Sequence, residues 1–328
     1  MTPGRPASGG RRGAALPLRS SLVPVLLARC RFPPAGTPFA CAVSGGPDSL
    51  ALLVLAVAAG CAATAYHVDH GLREGSAGEA AVVAAAAEAL GAGFVALSAP
   101  CPPGPNLEAR ARAARFSVLP VPVATGHTAD DQAETILLNL LRGAGLDGLA
   151  PLTDGERHPI VGVRREETRS LVTALGLAVV EDPTNQSLEL RRNRVRHELL
   201  PLCASIAERD VVAVLARQAG VLSGDARYLD ELAGAVDPTD ARALTAAPLP
   251  LARRAVRRWL RTMLPGGQPP DGATVGRVLA VAAGEVLACE VPGGTRIERH
   301  RGCLQAVPAV PVPPVGPPGP LGSDAAPV

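Results

Sequence analysis

A short apolar run, Phe39 to Val43, is broken by Ser44-Gly45-Gly46-Pro47-Asp48-Ser49, and an apolar run of helical length begins at Leu50. This order calls for a strand, a tight glycine turn and a helix, the opening unit of an open α/β sheet. Such a turn leaves backbone N–H groups pointing outward at a helix N-terminus, where the macrodipole favours an anion such as phosphate or pyrophosphate. Gly45 and Gly46 let the backbone bend and approach a ligand closely. Pro47 suits the first helical position, and the hydroxyls of Ser44 and Ser49 can donate to phosphate oxygens. Asp48 either caps the helix or reaches the anion through a cation such as Mg²⁺.

A Walker loop is excluded, because it needs a lysine for the β- and γ-phosphates and the chain contains none. The segment resembles instead the SGGxDS loop of the PP-loop ATP pyrophosphatases, which hold pyrophosphate while AMP passes to a substrate oxygen. With 328 residues the chain can bury a full core and form two domains. Its apolar content is Ala, Val and Leu with few aromatic residues, which favours helices and buried parallel strands. A net charge of +2 excludes nothing. Seven cysteines, scattered and never spaced as CxxC, suit small core residues in a reducing compartment. No apolar run has the length and purity of a membrane span, so the expectation is a soluble, cytoplasmic protein.

Residues 1–20 have the composition of a disordered leader and the proline-rich stretch 308–328 that of a disordered tail. Leu22 to Leu27 reads as a short helix. Strands are expected at 62–68, 94–97 and 121–124, alternating with helices at 79–90 and 106–119. That alternation means a doubly wound, mainly parallel sheet in a domain spanning 21–205. The second strand closes on His67-Val68-Asp69-His70-Gly71-Leu72-Arg73, polar residues at a strand exit where open sheets place ligands; a plain polar exit would look the same. From 206 to 307 a smaller, mainly helical domain is expected, with long helical pattern over 206–236, helices at 249–264 and 274–283, and short terminal strands at 286–291, 295–299 and 303–307. Arginines crowd the 249–264 helix, where Trp259 is available for packing or for stacking on a base.

The fourth strand runs into Thr125-Gly126-His127-Thr128-Ala129-Asp130-Asp131-Gln132-Ala133-Glu134-Thr135. His127, Asp130, Asp131 and Glu134 stand at i, i+3, i+4 and i+7, so an imidazole and three carboxylates share one face at a helix start. Thr128 with Asp131 resembles a capping box, which accounts for one acid. The others suit Mg²⁺ or a cationic substrate. Arg192, Arg194 and Arg196, with Arg191, crowd a segment where Leu188, Val195, Leu199 and Leu202 keep helical spacing. They are read as an exposed basic face against an RNA backbone, although a solvated helix face has the same pattern.

Taken in order, SGGPDS, HVDHGLR at 67–73, the Glu108 to Phe116 segment with Arg112 and Arg115, GHTADDQAET at 126–135, RGAGLDGL at 142–149 and DPTNQSLELRRNRVRHELLP at 182–201 resemble the tRNA(Ile)-lysidine synthetase family of PP-loop enzymes. The resemblance covers about residues 39–203 and extends more weakly to about 307. It implies a carbon–nitrogen ligase: ATP adenylates the C2 oxygen of the wobble cytidine in the CAU-anticodon isoleucine tRNA, and free L-lysine displaces AMP to give lysidine. It further implies that Ser44, Gly45, Gly46, Pro47, Asp48 and Ser49 bind ATP, with Asp48 helping to hold Mg²⁺. His127, Asp130, Asp131 and Glu134 would serve the metal and the lysine ammonium, and Arg112 and Arg115 would neutralise phosphate or RNA charge. Tertiary recognition of the tRNA would fall to the domain after 205. Two departures stand out: the link between Phe116 and Val121 is short, and His158 occupies a position where the family usually has arginine. A PP-loop tRNA thiolase, which commonly needs a cysteine pair, and a tRNA-binding relative without catalysis are the alternative readings. The sequence leaves a homodimer open.

Overall fold

The computed structural model describes residues 20–71, 76–101, 104, 107–151, 155–181, 187–264 and 270–308. The expected leader up to residue 19, the tail after 308, Leu72 and Arg73, and the turn at 182–185 lie outside the described residues. The chain runs through α1 (Leu22–Leu27), β1 (Pro38–Ala42), α2 (Pro47–Ala58), β2 (Ala62–Asp69), α3 (Ser76–Leu90), β3 (Gly93–Ser98), α4 (Leu107–Val118), β4 (Ala124–Thr125) and α5 (Ala129–Leu141). Its four strands form one parallel sheet in the order β3-β2-β1-β4. The chain therefore builds outward from β1 to β3 and then returns to the other side of β1. At such a reversal the loops leaving two adjacent strands diverge and open a crevice at the strand C-termini. Here the two loops are the SGGPDS turn after β1 and the GHTADD turn after β4, set by the pairing of Cys41 with Ala124 and Ala42 with Thr125.

Helix α2 explains why this crevice is firmly held. Every residue from Ser49 to Ala56 is buried, as its all-round apolar sequence requires of a helix enclosed by protein. Leu50, Leu52, Leu53 and Leu55 are wholly inaccessible, each worth about 1.5–3 kcal/mol of burial. The fourth strand is shorter than the expected 121–124 and displaced, because Pro122 has no N–H for a ladder and Val121 is 90% exposed.

After α6 (Leu146–Leu149) and α7 (Arg165–Ala174), the chain forms α8 (Arg191–Arg194), a π-helical turn (Val195–Leu199) and α9 (Leu200–Ala207) without a break. Helix α10 (Val211–Gly234) follows. The compact units divide inside α10, one reaching Gly224 and the other starting at Asp225, whereas the sequence suggested 205. Val211, Val212, Leu215 and Ala216 pack with Ala129, Ala133, Val195 and Leu200, which ties the first turns of α10 to the first unit.

The second unit contains α11 (Ala241–Ala246), α12 (Leu249–Met263), α13 (Gly272–Ala283) and an antiparallel sheet of β5 (Ala288–Val291), β6 (Thr295–His300) and β7 (Cys303–Pro308) in that order. Leu244, Leu260, Val278 and Ile297 form the centre of its core. Arg301 and Gly302 both have positive φ, the conformation a two-residue hairpin turn needs. No helix among the described residues is long and apolar enough to cross a membrane.

Candidate active site

The crevice is a cavity of about 470 Å³ whose walls include Ser44, Asp48, His67, Arg112, His127 and Arg165. On one side the Ser44 N–H donates to Ser49 Oγ (3.2 Å), and Ser49 Oγ–H donates to the Gly46 carbonyl (2.9 Å), so the turn is braced by its own hydroxyls. Gly45 has φ +89°, and a Cβ there would fall 2.6 Å from Val180 Cγ2. Gly126 presses against the first turn of α2: an added Cβ would lie 2.7 Å from the Asp48 carbonyl oxygen. The glycine of GHTADD thus keeps two loops in backbone contact, and Asp48 sits at their junction. Asp48 Oδ1 accepts from the Thr168 hydroxyl, and Oδ2 lies 3.5 Å from Arg165 Nε. Burial raises the Asp48 pKa against the pull of Thr168 and Arg165.

On the facing side, Thr128 caps α5 in a reciprocal capping box with Asp131, as its spacing predicted. The acids of that helix are not open to solvent. Glu134 is fully buried and accepts from Arg165 (2.8 Å), Arg192 (2.8 Å) and Arg196 (2.7 Å). Asp131 accepts from Arg165 (2.9 Å) and Arg192 (3.0 Å). Burial alone would raise its pKa, yet Arg165 and Arg192 outweigh it and hold Asp131 at about 2. Asp130 accepts from Arg164 Nε (3.1 Å) and the Arg165 backbone (2.8 Å), and Arg164 also pairs with Asp210. Removing carboxylates from water costs several kcal/mol each, so three acids can share a helix face only where guanidinium groups meet them with good geometry.

Two expectations change here. Arg192 and Arg196 do not form an exposed basic face: with side chains 34% and 22% exposed, they turn inward to Glu134, whereas Arg194, at 63% and paired with Glu198, faces outward and Arg191 is exposed. Helical spacing is the reason: Arg192 and Arg196 stand four residues apart and share the inward face, whereas Arg194, two residues from each, points the other way. Asn193, Val195 and Leu200 are buried while Leu188 and Leu202 are exposed. The second change concerns Asp130 and Glu134. They lie behind the cavity wall formed by Asp131, and reach it only through arginines.

Sequence reading missed Arg164, Arg165 and Thr168. Their signal was the Arg164-Arg165-Glu166-Glu167 run that opens α7, where Arg164 and Glu167 cap the helix. Buried acids also demand partners, but which arginines supply them depends on α7 docking beside α5. Elsewhere on the wall, His70 accepts from Arg115 Nε (3.3 Å) and its Nδ1 meets the Ala99 carbonyl (3.1 Å), which orients Arg115 toward the cavity. Arg112 lies over the Phe116 ring at 5.1 Å. His67 is buried with Nδ1 on the Val43 carbonyl (3.0 Å). His127 is neutral near pH 7, since burial lowers its pKa to about 4 despite Asp131.

A PP-loop domain matches residues 32–203, a span that contains the whole cavity wall. Over 247 residues the chain is 44% identical to the tRNA(Ile)-lysidine synthase of Nocardia farcinica, covering 70% of this chain and 77% of that one. The chain belongs to the tRNA(Ile)-lysidine synthase family. Family members of that name from Rhodococcus erythropolis (42% identity, 67% of this chain and 72% of the other) and Mycobacterium leprae (40%, 67% and 73%) are similar over the same extent. Among solved structures, the U34-tRNA thiolase of Methanococcus maripaludis aligns with a TM-score of 0.44 at 16% identity, over 56% of this chain and 72% of that one. The matched domain contains both the SGGPDS turn and the cavity beside it.

Proposed function

We propose that this lysidine-synthase family member adenylates the C2 oxygen of the wobble cytidine in isoleucine tRNA and then joins free lysine to that carbon. The observation that carries the reading is the contact between two loops: the anion-binding turn of α2 and the GHTADD start of α5 meet at Gly126 and open on one cavity. The cavity volume suits a nucleotide-sized ligand. Backbone N–H groups at the start of α2, with Ser44 and Ser49, would hold the phosphates, and Arg112 and Arg115 would offset charge on phosphate or RNA.

Mg²⁺ fits as an ion carried largely by the nucleotide. Such an ion needs only one or two carboxylates besides phosphate and water, and Asp48 supplies one at the loop itself. No group of three or more metal-binding side chains occurs among the described residues, which excludes an all-protein cage there. When bound, the ion would neutralise charge on the departing pyrophosphate. Asp131, at the cavity wall, is the carboxylate placed to attract a lysine ammonium. Asp130 and Glu134 hold the arginines that position it. His127, being neutral, can accept the proton that the amine must lose before attack. The unit after Gly224 would recognise tRNA, with Arg253, Arg258 and Arg261 of α12 exposed for phosphate contacts. We place the reaction in the cytoplasm.

The test is incubation with ATP, Mg²⁺, labelled lysine and a CAU-anticodon isoleucine tRNA transcript. Lysine incorporation with release of AMP is expected. Sulfur incorporation, or tRNA binding without incorporation of lysine, would overturn the reading.

A further inference from the structure

Thr125, His127 and His158 form a cluster whose geometry the phosphate loop and the acids leave unexplained. The Thr125 hydroxyl oxygen lies 2.6 Å from His127 Nδ1 and 3.0 Å from His158 Nδ1. The two rings meet edge to face, with centroids 4.9 Å apart. A hydroxyl carries one hydrogen, so it donates to one ring nitrogen and must accept N–H from the other. The Arg157 carbonyl, which also accepts the Thr125 backbone N–H at 3.0 Å, is the most distant of the three partners of the hydroxyl, at 3.3 Å. The imidazoles therefore hold opposite states at Nδ1, and these exchange when the hydroxyl hydrogen passes to one ring as the hydroxyl oxygen takes the N–H hydrogen of the other. His127 lines the cavity; His158 is half-buried in the segment leading to α7 and does not.

Building on the lysidine-forming reading, we propose that Thr125 and His158 complete a proton relay that carries the lysine ammonium proton from His127 out of the cavity. His127 Nε2 takes the proton while its Nδ1 proton passes to the Thr125 oxygen. The hydroxyl hydrogen moves to His158 Nδ1, and His158 releases its Nε2 proton to water. The neutral amine then forms the bond to C2 as the C2–O bond breaks, and the electron pair of that bond leaves with AMP. Burial lowers the pKa of both rings, with Arg157 and Arg112 adding to the effect at His158, so the relay starts uncharged near pH 7. Thr125 and His158 are positioning residues that act through His127.

The half-reactions separate the possibilities. Adenylation is read as tRNA-dependent ATP–pyrophosphate exchange without lysine, and transfer as incorporation of labelled lysine. Thr125→Val and His158→Gln are expected to slow transfer about tenfold or more beyond any effect on exchange. In both variants the transfer rate should rise about tenfold per pH unit above neutrality, tracking the free amine, while the wild-type rate rises less. Thr125→Ser, which keeps the hydroxyl, should behave as wild type. If Thr125→Val does not fold, His158→Gln carries the test. Wild-type rates and pH profiles in the variants would overturn the relay alone, as would equal loss of exchange and transfer. A wild-type protein that forms no lysidine would overturn the reaction itself.

Discussion

Glu134 has no solvent exposure and receives charge-assisted hydrogen bonds from three arginines. Its worth lies in what its loss would strand. Glu134→Gln keeps the shape but leaves Arg165, Arg192 and Arg196 short of one negative charge, and is expected to destabilise the catalytic unit by about 3–5 kcal/mol, measured as a fall in its calorimetric transition. His127 gives a second prediction. Its folded pKa of about 4 lies below the ordinary 6.5, so the unfolded chain binds more protons between those values. The stability contributed is full above about pH 6.5 and is lost as pH falls toward 4, to an extent of about 3 kcal/mol. His158, also lowered, adds in the same direction. Asp131, held at about 2 against 3.8, acts only at lower pH: its contribution is present above about 3.8 and lost as pH falls through 2. Scans from pH 7.5 to 4.5 should show wild type losing stability more steeply than His127→Asn. Equal slopes would sink this assignment.

The arginine-bearing helix teaches a different lesson at the scale of an element. Arg192 and Arg196, four residues apart, turn inward together and Arg194 between them faces out. Replacing Arg194 with alanine should change the salt dependence of tRNA binding by at most about one unit in the slope of log affinity against log salt. Arg192→Ala and Arg196→Ala should leave that slope unchanged and instead lower stability and lysine transfer, because each uncovers the charge of Glu134. Filter binding across a salt series decides the matter: a large slope change for Arg192→Ala would restore it to the RNA surface. Sequence spacing placed the arginines on one helix, and its 3.6-residue repeat separates Arg194 from Arg192 and Arg196; what spacing alone did not show is that the buried Glu134 draws the latter pair inward.

For the whole molecule, chemistry and recognition fall in different compact units, on the reading that the second unit meets tRNA. Arg253, Arg258 and Arg261 are exposed on α12, whereas Arg254 pairs with Asp230. Changing the three exposed arginines to alanine together is expected to weaken tRNA binding and flatten its salt slope by about three units. ATP binding by the free enzyme, followed by calorimetric titration, should stay as it was. Loss of ATP binding in that variant would mean that the division of labour is wrong.

The sequence by itself determined the parallel sheet, the glycine turn before α2, the capped acidic helix and the hairpins, because each is dictated by contacts within a few residues: glycine turns, apolar runs, a Thr128–Asp131 cap. It also placed Asp48, His127 and Asp131 around one site by their positions at strand exits. It misjudged β4, where proline removed the ladder, and the unit boundary, where the packing of α10 overruled composition. Only the tertiary structure decided that Arg164 and Arg165 of α7 neutralise acids of α5, that Thr168 holds Asp48, and that Thr125 joins two histidines. Apart from Thr125 and His127, which stand two residues apart, those pairings lie 31–120 residues apart in the chain, and a buried charge requires a partner without specifying which one. The choice belongs to the docking of whole elements.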